Sequence, residues 1–151
     1  MTPQETAAPR KGNFVLLTAG SLQLLLPQED VGVADYLSEP PEPTAQPGVF
    51  AMHVDDEGVT HYVAALSPRM TLLDALPPER FLLTMFPAQP GVWMCWDDVN
   101  ILIDTVITPH ALPPAMISPD SPLTAYVELG DKLAFLCSAE RLLAQTFPAR
   151  S

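Results

Sequence analysis

Eighteen prolines are spread through this chain of 151 residues, and no other feature limits its fold as strongly. Inside a helix, a proline removes a hydrogen bond and clashes with the preceding turn; in a sheet it is tolerated only at edges, ends and bulges. Regular structure is therefore confined to short segments between breaks. Hydrophobic residues make up 48% of the chain, so these segments carry apolar surface to bury, unlike a disordered sequence. The expectation is an all-β, β-dominated fold of many short strands. The length suits one domain, or two small interlocked subdomains sharing a core.

Residues 1–12 are polar, contain Pro3 and Pro9, and read as a disordered tail before a single domain over residues 13–148. The domain opens with the strand Phe14-Val-Leu-Leu-Thr18, a turn at Ala19-Gly20-Ser21, and the strand Leu22-Gln-Leu-Leu-Leu26, which Pro27 ends. Gln28 to Val31 suits a short turn, and residues 33–37 extend again. Residues 38–48 hold four prolines and two glutamates. They read as a stiff exposed connector rather than a proline-rich recognition peptide. Residues 49–54 and 59–66 flank Asp55-Asp56-Glu57-Gly58, which predicts a hairpin with Gly58 in the left-handed position. Ser67-Pro68 breaks the pattern, and residues 70–76 admit either a strand or one helical turn.

The second half is the more informative. Arg80-Phe-Leu-Leu-Thr-Met-Phe86 is an apolar run of strand length; Pro87 to Gly91 turns it into Val92-Trp-Met-Cys-Trp96, and residues 101–107 follow as a further strand. After a proline-containing crossing at residues 109–122, Thr124 to Leu129 turns at Gly130-Asp131 into Lys132 to Cys137. The Gly-Asp pair supplies the positive φ that a tight hairpin requires. Strict alternation puts Trp93 and Cys95 on one face and Met94 and Trp96 on the other, so this strand is apolar on both sides and lies between two packed layers. Ser138 then caps a short helix, where Glu140 complements the dipole and Ala139, Leu142, Leu143, Thr146 and Phe147 form one buried stripe before Pro148.

The formal charge of −11, with seven basic residues in all, argues against a nucleic-acid partner, which needs clustered Lys and Arg to track phosphates, and disfavours an anionic membrane. A basic protein partner stays compatible with it. Cys95 and Cys137 both lie in apolar strands. With no N-terminal apolar signal segment, they read as buried thiols of a cytoplasmic protein, a disulfide between them being the lesser alternative. No apolar run approaches the roughly 20 residues needed to span a membrane as a helix, so direct membrane insertion is not expected.

No catalytic, cofactor or metal site is expected. Ala19-Gly20-Ser21-Leu22-Gln23 is not a nucleophile elbow, and no glycine-rich phosphate loop occurs. His53 and His61 lie on the two arms of one hairpin, with Asp55 as the only nearby third ligand; surface residues are the plainer reading. Asp97-Asp98 and Asp55-Asp56-Glu57 are dense in carboxylates, but acids beside turns are ordinarily solvated caps rather than acid–base pairs. Trp93, Trp96, Met85 and Met94 gather around one hairpin; they form either packed core or the lining of an apolar ligand pocket.

The order of these signals resembles the CheW-like domain, the coupling module of bacterial chemosensory arrays. The segment Ala125-Tyr-Val-Glu-Leu-Gly-Asp-Lys-Leu-Ala-Phe-Leu-Cys-Ser-Ala-Glu-Arg-Leu-Leu143 looks like the last hairpin and terminal helix of that family. Trp93-Met-Cys-Trp-Asp-Asp-Val99 resembles its central strand, Leu112-Pro-Pro114 its proline crossing, and Pro27 and Val31 its early proline and valine. Trp93 stands for the family's glycine, and Cys137-Ser138 for its Leu-Asp. The Asn-Leu-Arg-Gly motif is not recognisable between Val49 and Asp74, where Arg69 is the nearest arginine. The resemblance implies two five-stranded β-barrels packed over a common core, the first built mainly from residues 14–74 and completed by the C-terminal segment, the second from the middle of the chain. It implies a non-enzymatic adaptor between a CheA-type histidine kinase and the cytoplasmic tips of chemoreceptors, in a chemotaxis or type IV pilus pathway. Val31, Val33 and Arg69 are the partner-binding residues it suggests. The competing expectation is a small-ligand-binding barrel around Trp93, Trp96, Met85 and Met94, and a weaker one is a hydrolase using Asp97 and Asp98.

Overall fold

The computed structural model describes residues 8–32, 34–37, 40–54, 56–58, 60–77, 80, 82–118 and 121–146. Among these described residues, eleven strands and one α-helix follow in chain order: β1 (Arg10–Ala19), β2 (Leu22–Pro27), β3 (Ala34–Tyr36), β4 (Glu42–Pro43), β5 (Phe50–Val54), β6 (Thr60–Ala65), β7 (Leu82–Phe86), β8 (Gln89–Trp96), β9 (Asp98–Ile107), β10 (Leu123–Leu129), β11 (Lys132–Cys137) and α1 (Ala139–Thr146). Turns of 3-10 helix at Gln28–Asp30 and Pro114–Met116 join them. The all-β class holds, and no helix among the described residues is long and apolar enough to cross a membrane.

The strands form a five-stranded sheet ordered β10-β11-β2-β1-β9 and a six-stranded sheet ordered β3-β7-β8-β6-β5-β4. Both share one plan. In the first, the hairpins β1–β2 and β10–β11 meet through parallel pairing of their second strands, β2 with β11. In the second, β5–β6 and β7–β8 meet the same way, through β6 with β8.

Three expectations are corrected here. The sheets are not closed barrels: β9 and β10 end the first sheet without pairing with each other, and His110, beyond β9, meets β10 in a single bridge to Tyr126. The outer strands of the second, β3 and β4, span three and two residues and are too short to close it. The division of the chain also differs, because everything from β3 to β8 belongs to the second sheet, so residues 34–74 do not build the first. Finally, Arg10 to Gly12 are not tail but the start of β1, where they pair with Ile107 to Thr105 of β9. Residues 1–7, the bulk of the expected tail, lie outside the described residues, as do Phe147 and Pro148.

Alternation along the strands creates three apolar layers. Phe14, Leu16, Leu25, Val127 and Leu136 form an apolar layer of the first sheet. Val63, Ala65, Leu83, Trp93 and Cys95 form one of the second. Between them lies the shared core, where Val15, Leu17, Leu24 and Leu26 meet Met94, Trp96 and Phe86, and the α1 stripe Ala139, Leu142 and Leu143 closes over it. The faces of β8 thus divide as alternation predicts. Ser138 caps α1, its Oγ accepting from Arg141 N at 3.3 Å. Gly58 and Gly130 take φ of +82° and +63° at their hairpin turns, as expected.

The ambiguous stretch after β6 is a turn at Ser67–Met70, where Met70 has φ +64°, followed by a single bridge between Leu72 and Leu66. The proline-rich connector is held by Thr44, whose Oγ1 donates to Val49 O at 2.7 Å. Its short strand β4 pairs with β5.

Candidate functional site

Where the sheets adjoin at one end of the shared core, two adjoining cavities of about 380 and 500 Å³ form a continuous groove. Pro27, at the end of β2, is common to both, with Arg10 of β1 and Glu29 of the 3-10 turn. The second sheet contributes Pro87 and Ala88 from the β7–β8 turn, and the C-terminal segment contributes Leu136, Cys137 and the first turn of α1. Proline stops β2 because it has no amide to continue the ladder, and the chain leaves it through a one-turn 3-10 helix closed by Val31 N donating to Gln28 O at 3.2 Å. That turn leaves Glu29 and Asp30 exposed on one wall; Glu140, in the first turn of α1, is exposed on another. The floor is apolar, with Leu136, Cys137 and Ala139 each buried.

The groove therefore has an apolar floor and a rim of three carboxylates, with Arg10 and Lys11 as the cations of its lining. Cys137 on the floor is no nucleophile at neutral pH, because burial pushes its thiol up to about 12. Ser138 Oγ is occupied in capping α1. What the arrangement can do is accept an apolar side chain flanked by basic groups.

The partner-binding residues expected from the sequence fall apart in space. Val31 is buried in the shared core and is not among the groove-lining residues. Gly32 after it donates to Met85 O at 2.6 Å, beside the β7–β8 turn. Arg69 is exposed in the turn after β6, next to Pro68, which packs by Gly20 at the opposite end of the β7–β8 hairpin. Val33 lies outside the described residues.

The other candidates are absorbed into structure. Trp93 Nε1 donates to His61 Nδ1 at 2.8 Å, and Trp96 Nε1 to Thr84 Oγ1 at 2.8 Å. Because Trp93 and Trp96 belong to different apolar layers, they do not line a common pocket with Met85 and Met94, and neither lines the groove. Asp97 Oδ1 pairs with Arg80 Nε at 3.1 Å, while Asp98 Oδ1 accepts from Val99 N at 3.0 Å, so the acid pair serves two separate structural tasks. Cys95 Sγ donates to Arg80 O at 2.8 Å, and burial pushes its thiol up to about 11. Both cysteines are free and sit in different layers. His53 lies on β5, and Asp55 lies outside the described residues.

The resemblance implied a groove between the subdomains as a binding surface, but not the residues that line this one. Their signals were present as the acidic pair after Pro27 and as Glu140 after the cap, but Arg10 was assigned to the tail. Compared with known proteins, the chain matches no family model, and no curated protein is significantly similar to it.

Proposed function

We propose that this chain is a non-enzymatic, cytoplasmic adaptor of the CheW-like type, which couples a CheA-type histidine kinase to the cytoplasmic tips of chemoreceptors. The observation that carries the reading is the groove between two sheets built on one plan: an apolar floor with a carboxylate rim suits protein contact. The sequence resemblance from residue 80 onward supports the same reading. Each sheet also ends in strands that can meet another protein without disturbing the shared core. The groove receives a partner segment with an apolar anchor and neighbouring Lys or Arg, and the net charge of −11 steers such a segment toward it.

The test is a binding assay on the full chain against the regulatory region of a CheA-type kinase and a receptor-tip fragment. Both are expected to be retained. The double reversal Glu29→Lys with Asp30→Lys should weaken receptor-tip binding about tenfold while leaving the melting temperature unchanged, because both side chains are exposed. Failure of the folded chain to retain either partner would falsify the coupling role.

A further inference from the structure

Strand β9 ends the first sheet and carries an apolar face that none of the described residues covers. Ile101, Ile103 and Val106 are 57%, 68% and 60% exposed. Ile101 and Ile103 share a face by alternation, and a bulge brings Val106 to the same side. At that bulge the β1–β9 register shifts between Gly12 and Phe14, Asp104 takes φ +51°, and Asp104 N donates to Asn13 Oδ1 at 2.9 Å. The parity change is visible on the inner side too, where Leu102 and Ile107 pack into the same layer although five positions apart.

This outer face continues the shared core. Val99 is paired with Leu17 and packs against that core; Ile101 is paired with the buried Val15. One step further along β9 the covering sheet has ended and the aliphatic side chains stand in solvent. A regular edge with branched aliphatics beside it is an aggregation hazard, and natural edges are normally blunted by charge, proline or a bulge. Here the bulge at Asp104 blunts one end, and local bonds from Val99 N to Asp98 Oδ1 and from Thr105 Oγ1 to Ile103 O engage single groups, but no described strand pairs with the outer side of residues 98–103.

We infer that this edge is a second docking site, separate from the groove, which takes an extended segment of a different protein in which aliphatic residues alternate with Lys or Arg. Strand addition along residues 98–103 satisfies the free edge and covers Ile101 and Ile103. The charge selects the partner: along residues 98–104 the charged groups are the exposed Asp98 and Asp104, with Lys11 standing beside Val106 beyond the bulge, and a second copy of this chain brings the same excess of acid. Ile101 and Ile103 lie clear of the groove, whereas Val106 and Asp104 adjoin its lining residues Lys11 and Asn13; the inference is carried by the former pair and does not depend on the adaptor reading.

The test uses the full chain and two synthetic peptides, one alternating isoleucine with lysine over about six residues, a typical strand length, the other alternating isoleucine with glutamate. Methyl and amide NMR should show the lysine peptide shifting Ile101, Ile103 and Val106 and slowing amide exchange along residues 98–103. Ile103→Ser should weaken that binding about tenfold, and so should Asp98→Asn with Asp104→Asn, a pair that keeps a residue tolerant of the left-handed position. The inference is overturned by equal binding of the glutamate peptide, by shifts confined elsewhere or absent, or by sedimentation showing a dimer that Ile103→Ser abolishes, which makes a second copy the occupant.

Discussion

Arg80 Nε lies 3.1 Å from Asp97 Oδ1, and this ion pair joins the two sheets. Arg80 precedes β7 and is 5% exposed; its Nη1 also donates to Leu66 O at 2.6 Å, just past β6. Asp97 lies between β8 and β9, and its other oxygen accepts from Gly20 N in the β1–β2 turn at 2.5 Å. Asp97 N in turn donates to Thr18 O at 2.8 Å. One guanidinium and one carboxylate thereby tie the ends of six strands, β1, β2 and β9 of one sheet and β6, β7 and β8 of the other, to a single point.

Breaking this joint from either side should destabilise the protein. Asp97→Ala leaves a buried guanidinium without its counter-charge, and we expect a loss of about 2–3 kcal/mol, below the cost of a fully buried pair because Asp97 is 30% exposed. Arg80→Met should cost about 2 kcal/mol. In urea denaturation, the double variant should lose at least about 1 kcal/mol less than the sum of the single losses. Strict additivity would show that the pair is not coupled.

Gly20 and Gly130 separate backbone conformation from crowding. Both have left-handed φ, +62° and +63°. A Cβ on Gly20 comes 2.8 Å from Pro68 Cγ, whereas one on Gly130 meets nothing within 4 Å. Gly130→Ala should cost about 1 kcal/mol for backbone strain alone, and Gly20→Ala measurably more. Equal losses in matched thermal melts would rule out the contact with Pro68 as a constraint on the turn.

Trp96 is fully buried and donates its indole N–H to Thr84 Oγ1. Thr84→Val keeps the shape but leaves that donor unpaired in the core, so about 1–3 kcal/mol of stability should disappear. Tryptophan emission of the native protein should be blue-shifted and unchanged by a panel of apolar ligands. A saturable spectral response would restore the pocket reading.

The two thiols predict an alkaline loss of stability. In the unfolded chain they ionise near pH 9, but in the folded protein burial holds them neutral to about 11 for Cys95 and about 12 for Cys137. Above pH 9 the folded state therefore binds more protons than the unfolded one, and stability falls as pH rises through that window. By pH 10 each thiol accounts for about 1 kcal/mol. Urea midpoints at pH 7 and pH 10 should differ less in a Cys95→Ala, Cys137→Ala variant than in the parent protein; an unchanged difference refutes the assignment.

Much of the fold was legible because its signals are local. The turn at Gly20-Ser21, the hairpins around Gly58 and Gly130-Asp131, and the cap at Ser138 each depend on a few adjacent residues with defined φ or hydrogen-bonding ability. The two-sided burial of β8 followed from alternation, since a strand apolar at every position has to be covered twice. The partner-facing residues were less legible. Val31 was expected at a partner surface from its place in the family pattern, but its apolar side chain is buried in the shared core.

Proline placement and side-chain alternation therefore dictated short strands, their turns and which faces are apolar, all properties of neighbouring residues. Which strands pair was decided by the assembled molecule: β2 beside β11, β6 beside β8, and Arg10 to Gly12 against the far end of β9. The same holds for the Arg80–Asp97 joint, the carboxylate rim and the exposed face of β9. These depend on contacts between residues distant in the chain, whose loop-closure cost is recovered only when the whole core is buried at once.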